Sequence, residues 1–257
     1  MIDLHLIGIG TGNPDHLTRE AVSALNGADL ILVPRKGDEK TDLADLRRAI
    51  CAQVLERPVR IVEFDLPRRA QERPYADAVS DWHDAIAACW RAQIADHLPQ
   101  GGHVALMVWG DPSLYDSSLR IAARLRAAGL PIRTHVVPGI TSLQVLTAAH
   151  GIALNRVAGP VTITTGRRLR DLGWPEGAGR VVVMLDSGGA YEVLEPESYY
   201  IWWGAYLGMK EQVLIAGVLK DVGAQIAGTR AERRALHGWI MDIYLLEKIR
   251  PGGQEPA

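Results

Sequence analysis

Uninterrupted apolar runs, separated by segments with helical spacing, are the feature that most constrains the fold of the first 150 residues. They predict strands at 3–10, 29–34, 60–65, 103–110 and 133–137. Apolar residues at helical spacing predict helices at 17–28, 41–57, 75–98, 117–129 and 141–150. Strands that are apolar throughout are buried on both faces, and helical connections are what parallel strands need. This part is therefore predicted to form a parallel sheet with helices on both faces.

The pattern changes after residue 150, where strand signals follow one another with few helices between them. They predict strands at 159–166, 180–189, 199–208, 212–217 and 238–248, and one helix at 218–227. Short connections of this kind are typical of mixed or antiparallel sheets. The sequence thus predicts an α/β protein with two α/β lobes, a mainly parallel one over 1–155 and a mixed one over 156–250. The active-site cleft is expected between the lobes, and residues 251–257 are expected to fray.

Composition and charge disfavour several functional classes. The net charge is −2 over 257 residues, so no positive excess would attract nucleic acid or an anionic membrane. No uncharged apolar run has the length that a membrane span needs. The first residues, MIDLHLIGIG, include Asp3 and lack the basic stretch of a signal peptide, so a cytoplasmic location is expected. The eight histidines include no pair at a metal-ligand spacing, and we expect no metal site.

The glycine-rich stretch GIGTGNPDHLT, at 8–18, differs from the dinucleotide-binding motif. That motif runs G-x-G-x-x-G directly into a helix, whereas Asn13 and Pro14 follow the glycines here. The second predicted strand ends at Pro34 and not at an acidic residue that could bind a ribose, and the sequence contains no Gly-Lys-Ser/Thr element. The stretch is therefore either a tight turn or part of another kind of ligand site.

Three turns follow three of the predicted strands: GTGNP, WGDPS and PGITS. The carboxyl ends of parallel strands share one edge of the sheet, where α/β proteins bind ligands. Gly110 would let a ligand approach the backbone closely, and Asp111 could accept hydrogen bonds from it. Thr141 and Ser142 would offer hydroxyl and backbone N–H groups at the start of a helix. The alternative is that these strands simply end in turns.

Three segments resemble the N-terminal motifs of the tetrapyrrole (corrin and porphyrin) methylases. They are IGIGTGNPDHLTREAVSALNGADLILV, WGDPSLYDS and VPGITS. The resemblance implies a methyltransferase that uses S-adenosylmethionine (SAM) in a cleft between two α/β lobes and releases S-adenosylhomocysteine (SAH). It also implies a small tetrapyrrole substrate and a homodimer.

The resemblance carries a set of cofactor contacts onto this chain: Gly10, Pro14, Trp109, Gly110, Asp111, Leu114, Thr141, Ser142, Met184, Gly204, Ala205 and Trp239. The first loop departs from the family pattern, because Thr11 and Asn13 replace a proline and an acidic residue. Trp109 stands where relatives often have glycine, and it either narrows the pocket or offers a stacking face.

Two further segments, VVVMLDSGGAYEVL and YYIWWGAYLGMKEQVLIAG, resemble one branch of this family. That branch acts in cobalamin biosynthesis, removing the acetyl group from C-1 of precorrin-5 as acetate and methylating the same carbon. Deacetylation needs a base and an oxyanion donor, and the candidates are Asp111, Tyr115, Asp186 and Tyr191. Candidates for the substrate carboxylates are Arg35, Arg167 and Arg168, although the last two are also typical of a solvated loop. The alternatives are methylation at another carbon and a nucleotide-binding regulator without catalysis.

Overall fold

The structure is a computed structural model of the chain, and it describes residues 1–35, 41–67 and 75–249. Two compact units divide the chain, Met1–Thr141 and Ser142–Ala257. The tail predicted to fray, 251–257, lies outside the described residues. Among the described residues, no helix has both the length and the apolar content to cross a membrane.

The first unit contains a five-stranded parallel sheet, as the sequence predicts. Its strands are β1 (Ile2–Gly8), β2 (Leu30–Arg35), β3 (Arg60–Asp65), β4 (Gly102–Val108) and β5 (Ile132–Val137). Its helices are α1 (Arg19–Gly27), α2 (Thr41–Val54), α3 (Tyr75–His97) and α4 (Ser118–Ala127). The strand order is β3-β2-β4-β1-β5, and every neighbouring pair is parallel.

Helices cover this sheet on both faces. Residues of α3 and α4 pack with Leu4, Leu6 and Leu106 on one face. Residues of α1 and α2 pack with Ile7 and Met107 on the other. Because successive strand residues point to opposite faces, both sets must be apolar, which is why these strands lack hydrophobic–polar alternation.

On the face of the sheet that α1 covers, the strands carry polar residues towards their amino-terminal ends. His5, His103 and His135 lie there, and we call them the histidine patch. His5 Nε2 lies 3.2 Å from His103 Nδ1, and the His5 and His135 rings stack at 4.7 Å. These imidazoles line a cavity of about 770 Å³ together with Glu20 of α1. Burial and repulsion from the other two imidazoles lower the pKa of His5, although Asp3 opposes this. The patch therefore disfavours a charged His5.

The histidine patch should make stability fall in mildly acidic solution. His5 is neutral in the folded state at a pH where the unfolded chain protonates it, so its contribution is present above pH 6.5 and is lost below that value. Burial lowers the pKa values of His83 and His150 as well, so they share the effect. Urea unfolding of wild type and His5→Gln between about pH 5 and 8 tests this. The variant should lose less stability on acidification, and an unchanged pH dependence would contradict the assignment.

The second unit contains a mixed five-stranded sheet, also as predicted. Its strands are β6 (Val161–Thr165), β7 (Arg180–Met184), β8 (Tyr199–Ala205), β9 (Val213–Val218) and β10 (Asp242–Lys248). Its helices are α5 (Ser142–His150), α6 (Gly166–Leu172) and α7 (Leu219–His237). The order is β6-β7-β10-β8-β9; β6 and β7 are parallel, and the other pairs are antiparallel.

Helix α5 groups with this second unit. His150 Nε2 lies 3.0 Å from the carbonyl oxygen of Trp203 in β8. Leu146 packs against Gly204 in the same strand. The compact units therefore divide before α5, at 141/142, while the lobe boundary at residue 155 stays a prediction.

Two predictions for the second unit are wrong, the end of one helix and the loop assigned to Arg167 and Arg168. Helix α7 runs to His237 and not to residue 227, because its second half is rich in arginine, glutamate and alanine, which favour helix without apolar spacing. Gly238 ends it with φ of 72° and donates its N–H to the Arg234 carbonyl. Arg167 and Arg168 lie on α6 and not in a loop, because the Thr165 hydroxyl accepts a bond from the Arg168 N–H and starts the helix.

Candidate functional site

The carboxyl edge of the first sheet has the topology of a ligand site. Strands β4, β1 and β5 are consecutive in the sheet, so the loops that follow them begin side by side. β1 leads into α1 on one face, whereas β4 leads into α4 on the other. Neighbouring strands whose connections leave to opposite faces form a crevice at their carboxyl ends. The crevice between β1 and β4 is therefore the candidate site.

Three glycines, Gly8, Gly110 and Gly139, bring the loops of this edge into backbone contact, and we call them the glycine crossing. A Cβ on Gly8 would lie 2.6 Å from the Gly139 nitrogen and 2.8 Å from the Gly110 oxygen. A Cβ on Gly139 would overlap the same Gly110 oxygen. Gly10 and Gly110 also exchange two backbone hydrogen bonds, of 3.3 and 2.7 Å. The three strand ends thus meet at a point where Gly8 and Gly139 have no room for a side chain.

Asp111 uses both carboxylate oxygens to join two of these loops. Oδ1 accepts the backbone N–H of Ser113 at 2.8 Å, and Oδ2 accepts the N–H of Gly139 at 2.9 Å. The Ser113 hydroxyl also donates to Oδ1. Burial alone would raise the pKa of Asp111, but these hydrogen bonds outweigh it and lower the pKa. The structure therefore gives this carboxylate a role in shaping the edge.

Gly110 differs from the other two glycines of the crossing, because the space for a side chain beside it is open. Gly110 has a φ of 66°, and a Cβ there would meet no atom nearer than Thr141 Cα at 4.0 Å. Gly10 also has a positive φ, of 71°. The open space at Gly110 therefore lets a ligand come close to the backbone there.

The loop after β1 contains two buried polar side-chain atoms without a hydrogen-bond partner in the described part of the chain. Thr11 is 3% exposed, and its Oγ1 has no hydrogen-bond partner in the described part of the chain. The Nδ1 of His16 is also buried and has no hydrogen-bond partner among the described residues. Pro14 opens a short 3₁₀ turn, and Asn13 caps that turn by accepting the Asp15 N–H at 3.0 Å. Because buried polar atoms are seldom left unpaired, this loop is suited to a polar ligand.

The loop after β4 combines a packed and an exposed aromatic residue. Trp109 is half-buried and packs on the apolar cluster beneath α1 and α2. Leu114 is half-buried and donates its N–H to the Asp111 carbonyl at 3.3 Å. Tyr115 is 43% exposed and holds a φ of 50°, which is unusual for a residue other than glycine. Such strained conformations cluster at functional sites.

In the second unit, β7 ends in a loop held from several sides. Met184 is the last residue of β7, and Leu185 follows with a φ of 52° and 66% exposure. Asp186 is then buried, and it accepts the N–H groups of Gly188 at 3.1 Å and Ala190 at 2.6 Å. The strained, exposed Leu185 therefore has a rigid support on its carboxyl side.

Side chains complete the partners of Asp186. Tyr244 donates its hydroxyl to Oδ2 at 2.8 Å, and Arg170 lies 3.2 Å from Oδ1. Arg230 donates to the Asp186 carbonyl at 2.6 Å and to Asp242 at 2.7 Å. A carboxylate with this many donors and 1% side-chain exposure is built to hold a loop, and its catalytic assignment stays a prediction.

Tyr244→Phe should destabilise the protein by about 1–2 kcal/mol, because it removes one buried donor from the Asp186 carboxylate. Tyr191→Phe is the matched control. Tyr191 is also buried and contacts Tyr244 edge-to-face, but its hydroxyl has no hydrogen-bond partner among the described residues. Its loss should leave the free energy of unfolding unchanged or slightly increased. Thermal and urea unfolding measure both, and equal costs would contradict the network.

The remaining predicted residues of this unit lie at the end of β8. Gly204 and Ala205 are its last two residues and are buried. Leu207 and Leu146 crowd the Cβ position of Gly204, so a larger residue there would require these two side chains to move. Tyr206 follows with a φ of 50° and donates its hydroxyl to the Trp239 carbonyl at 2.6 Å. Trp239 is therefore tied to this strand end.

The predicted substrate arginines lie on exposed parts of both units. Arg35 ends β2 and pairs with Asp65, with Nε and Nη2 at 3.1 and 3.3 Å from its two carboxylate oxygens. A substrate carboxylate would have to compete with that pair. Arg167 and Arg168 are exposed in the first turn of α6. In the described ranges, no group of three or more His, Cys, Asp or Glu side chains is placed to hold a metal ion.

A family model for the tetrapyrrole (corrin/porphyrin) methylases matches residues 3–223. The chain belongs to this family. A precorrin-6A synthase (deacetylating) from Sinorhizobium sp is 48% identical to this tetrapyrrole methylase over 246 residues, 95% of this chain and 94% of that protein. The crystal structure of a cobalamin synthesis related protein, CobF, from Corynebacterium diphtheriae is 40% identical. The alignment with that structure covers 97% of this chain and 100% of the CobF chain, with a TM-score of 0.82.

A more distant structure shows the same fold. It is the uroporphyrin-III C-methyltransferase from Thermus thermophilus, complexed with SAH. It is 18% identical, covers 95% of this chain and 92% of that chain, and has a TM-score of 0.57. The predicted two-sheet α/β class of this tetrapyrrole methylase is thus confirmed.

Some residues of this tetrapyrrole methylase that shape its loops escape sequence reasoning. Gly139 lies in the quoted VPGITS motif, yet only its contact with Gly8 and Gly110 explains why glycine is needed. Ser113 belongs to a Gly-Asp-Pro-Ser turn, a pattern in which aspartate commonly bonds the backbone two residues later. Arg230 has no local signal, because its partners lie far away in the sequence.

Proposed function

We propose that this chain is a SAM-dependent methyltransferase that converts precorrin-5 to precorrin-6A in cobalamin biosynthesis, methylating C-1 and releasing acetate. The observation that carries the proposal is the 48% identity to a precorrin-6A synthase (deacetylating) along nearly the whole of both chains. The crevice at the carboxyl edge of the first sheet, closed at its base by the glycine crossing, supports it.

The first unit fits a cofactor such as SAM on structural grounds. Gly110 leaves open space beside its backbone, and the buried Thr11 Oγ1 and His16 Nδ1 await a polar partner. We assign the cofactor contacts to Gly10, Pro14, Trp109, Gly110, Asp111, Leu114, Thr141, Ser142, Met184, Gly204, Ala205 and Trp239. Asp111 contributes through the loop that it holds, since both of its oxygens are already hydrogen-bonded.

When bound, SAM supplies an electrophilic methyl group on a sulfonium. The protein has to align this methyl with the carbon nucleophile, because in-line transfer depends mainly on positioning. We propose that water adds to the acetyl carbonyl, and that the bond from this carbonyl to C-1 then breaks. Acetate leaves, and C-1 retains the electron pair that takes the methyl group. The added water provides the acetate oxygen, and its protons pass to a protein group or to solvent.

Among the four catalytic candidates, the geometry favours Tyr115 for contact with the substrate. Its side chain is exposed on the loop after β4, and its strained backbone holds it there. Asp111 and Asp186 are occupied by hydrogen bonds within the protein. The hydroxyl of Tyr191 is buried, and burial raises its pKa to about 12, so it could act only as a hydrogen-bond donor. We retain Arg35, Arg167 and Arg168 as candidates for the substrate carboxylates.

Mass spectrometry after incubation with precorrin-5 and methyl-labelled SAM tests the function. The proposal expects a product that has gained one labelled methyl group and lost the acetyl group, with one acetate released per turnover. A product that keeps its acetyl group would indicate methylation at another carbon. Calorimetry with SAH is the companion measurement, and absence of binding would favour a regulator that does not use this cofactor.

We further propose that the enzyme works as a homodimer in the cytoplasm, on a small-molecule substrate and without nucleic acid or a membrane. The homodimer and the small-molecule substrate are what the family resemblance implies. The net charge of −2 gives no positive excess to attract nucleic acid or an anionic membrane. Sedimentation equilibrium tests the assembly, since a dimer has twice the mass of the 28.0 kDa chain.

A further inference from the structure

The first sheet opens between β2 and β4 near its carboxyl edge. These strands pair over Leu30–Leu32 and Val104–Leu106. Beyond that register, β2 continues to Arg35 along β3, and β4 continues to Val108 along β1. The last residues of β4 lead directly into the loop of the candidate site. They pair with β1 on one side, but on the other side they are not paired with β2.

Where β4 is no longer paired with β2, one backbone carbonyl, that of Met107, has no hydrogen-bond donor on β2. Val108 directs its carbonyl towards β1, where the Ile9 N–H donates to it at 2.9 Å. Successive carbonyls of a strand point to opposite sides, so the Met107 carbonyl points towards β2. There β2 carries Pro34, which has no N–H to donate. A buried carbonyl without a donor would be costly.

Arg47, on α2, occupies this opening. Its Nε donates to the Met107 carbonyl at 3.1 Å, and its Nη1 donates to the Leu43 carbonyl at 3.1 Å. The residue is only 9% exposed. Both acceptors are neutral backbone carbonyls. A buried cation thus replaces the strand ladder beneath the start of the β4 loop.

The same guanidinium also acts on the far end of that loop. Burial lowers the pKa of Arg47 to about 10, and the negative charge of Asp116 opposes this. Arg47 therefore remains a cation at neutral pH. Asp116 accepts the Ser118 N–H at 2.6 Å at the start of α4. Arg47 is hydrogen-bonded at the strand end of the loop and electrostatically coupled to its helical end.

We propose that Arg47 is a positioning residue for cofactor binding, which fixes the loop from Trp109 to Ser117 by supporting Met107 and attracting Asp116. It acts through this loop and not by touching the cofactor. The inference rests on the proposed function, because its readout is affinity for SAM and SAH. It adds a requirement that this function does not include: a charged side chain beneath the loop, on α2.

The test compares Arg47→Gln and Arg47→Lys with wild type by calorimetry with SAH and by steady-state kinetics. Arg47→Gln should raise the Kd for SAH and the KM for SAM by about tenfold to a hundredfold, as expected for loss of a charged hydrogen-bonding group. The kcat at saturating SAM should fall much less, because bound cofactor restores the loop. Arg47→Lys keeps the charge and one donor, and it should recover most of the affinity.

Arg57 provides a matched control at the opposite edge of the sheet. It also donates to two backbone carbonyls, those of Asn26 and Ala28, at 2.8 and 2.9 Å. Arg57→Gln should lower thermal stability without changing the Kd for SAH. Arg47→Gln with wild-type affinity and reduced stability would overturn the inference, since Arg47 would then be merely structural. If Arg47→Gln does not fold, Arg47→Lys carries the test. A kcat that falls by a larger factor than the KM for SAM rises would then overturn the inference, because a residue that positions the loop for cofactor binding should affect mainly KM.

The two proposals fail differently in this experiment. If wild-type protein does not bind SAH, the proposed function is wrong and the inference is overturned with it. If wild type binds SAH and all Arg47 variants bind it as tightly, the proposed function stands and only the role of Arg47 is rejected.

Discussion

Gly139→Ala is expected to abolish measurable SAH binding, raising the Kd by about a hundredfold or more, and to destabilise the protein by about 3 kcal/mol. The added methyl group would overlap the Gly110 carbonyl oxygen and would lie 2.7 Å from the Gly8 carbonyl carbon. Both neighbours are backbone atoms of other strand ends, so no side-chain rotation relieves the clash. The three loops have to separate, and the crevice loses its base.

Gly228→Ala is the control for this prediction. Gly228 lies on the exposed surface of α7, and a Cβ there would meet no atom within 4 Å. Alanine should therefore stabilise the helix by about 1 kcal/mol and leave SAH binding unchanged. Calorimetry with SAH and urea unfolding measure both variants. Normal SAH affinity in Gly139→Ala would show that the glycine crossing is not required for the cofactor.

Asp111→Asn has the second largest expected effect, a loss of about 2 kcal/mol in stability and of about tenfold to a hundredfold in SAH affinity. Asparagine retains one acceptor oxygen, so its NH₂ group would face the N–H of either Ser113 or Gly139. The wild-type contribution is present above pH 3.8 and is lost as the pH falls through the lowered pKa of Asp111. The variant should lack this component of acid unfolding.

Asp96→Asn is the corresponding control, because Asp96 is exposed near the end of α3. A negative charge is unfavourable at a helix carboxyl terminus, so its removal should change stability by less than about 0.5 kcal/mol. Urea unfolding and SAH calorimetry give the comparison. If Asp111→Asn kept both its stability and its affinity, the carboxylate would have no part in holding the two loops.

The fold class could be predicted because local sequence patterns determine it. Apolar strands alternate with helices through the first unit, and the observed bounds differ from the predicted ones by a few residues. The second unit was less predictable where charge replaces apolar spacing, as in the second half of α7. Strand β7 was also predicted too long, since Leu185 turns the chain while the sequence remains apolar there.

The candidate site was predictable as an edge but not as a set of contacts. Turns after the first, fourth and fifth strands indicate which loops meet, because parallel strands end on the same side. Which atom binds which depends on distances that sequence spacing does not encode. Asp111 was expected to face a ligand, yet its oxygens bind Ser113 and Gly139. Arg47 gave no signal at all, because its role depends on where β2 and β4 part.

The position of β10 has a consequence for how the chain is made. This strand lies between β7 and β8, although both of them precede it in the sequence. It also supplies Asp242 and Tyr244 to the buried network around Asp186. The second sheet therefore stays divided until residue 248 has left the ribosome, while the first sheet can already close. During synthesis the unpaired edges of β7 and β8 could pair with strands of other chains.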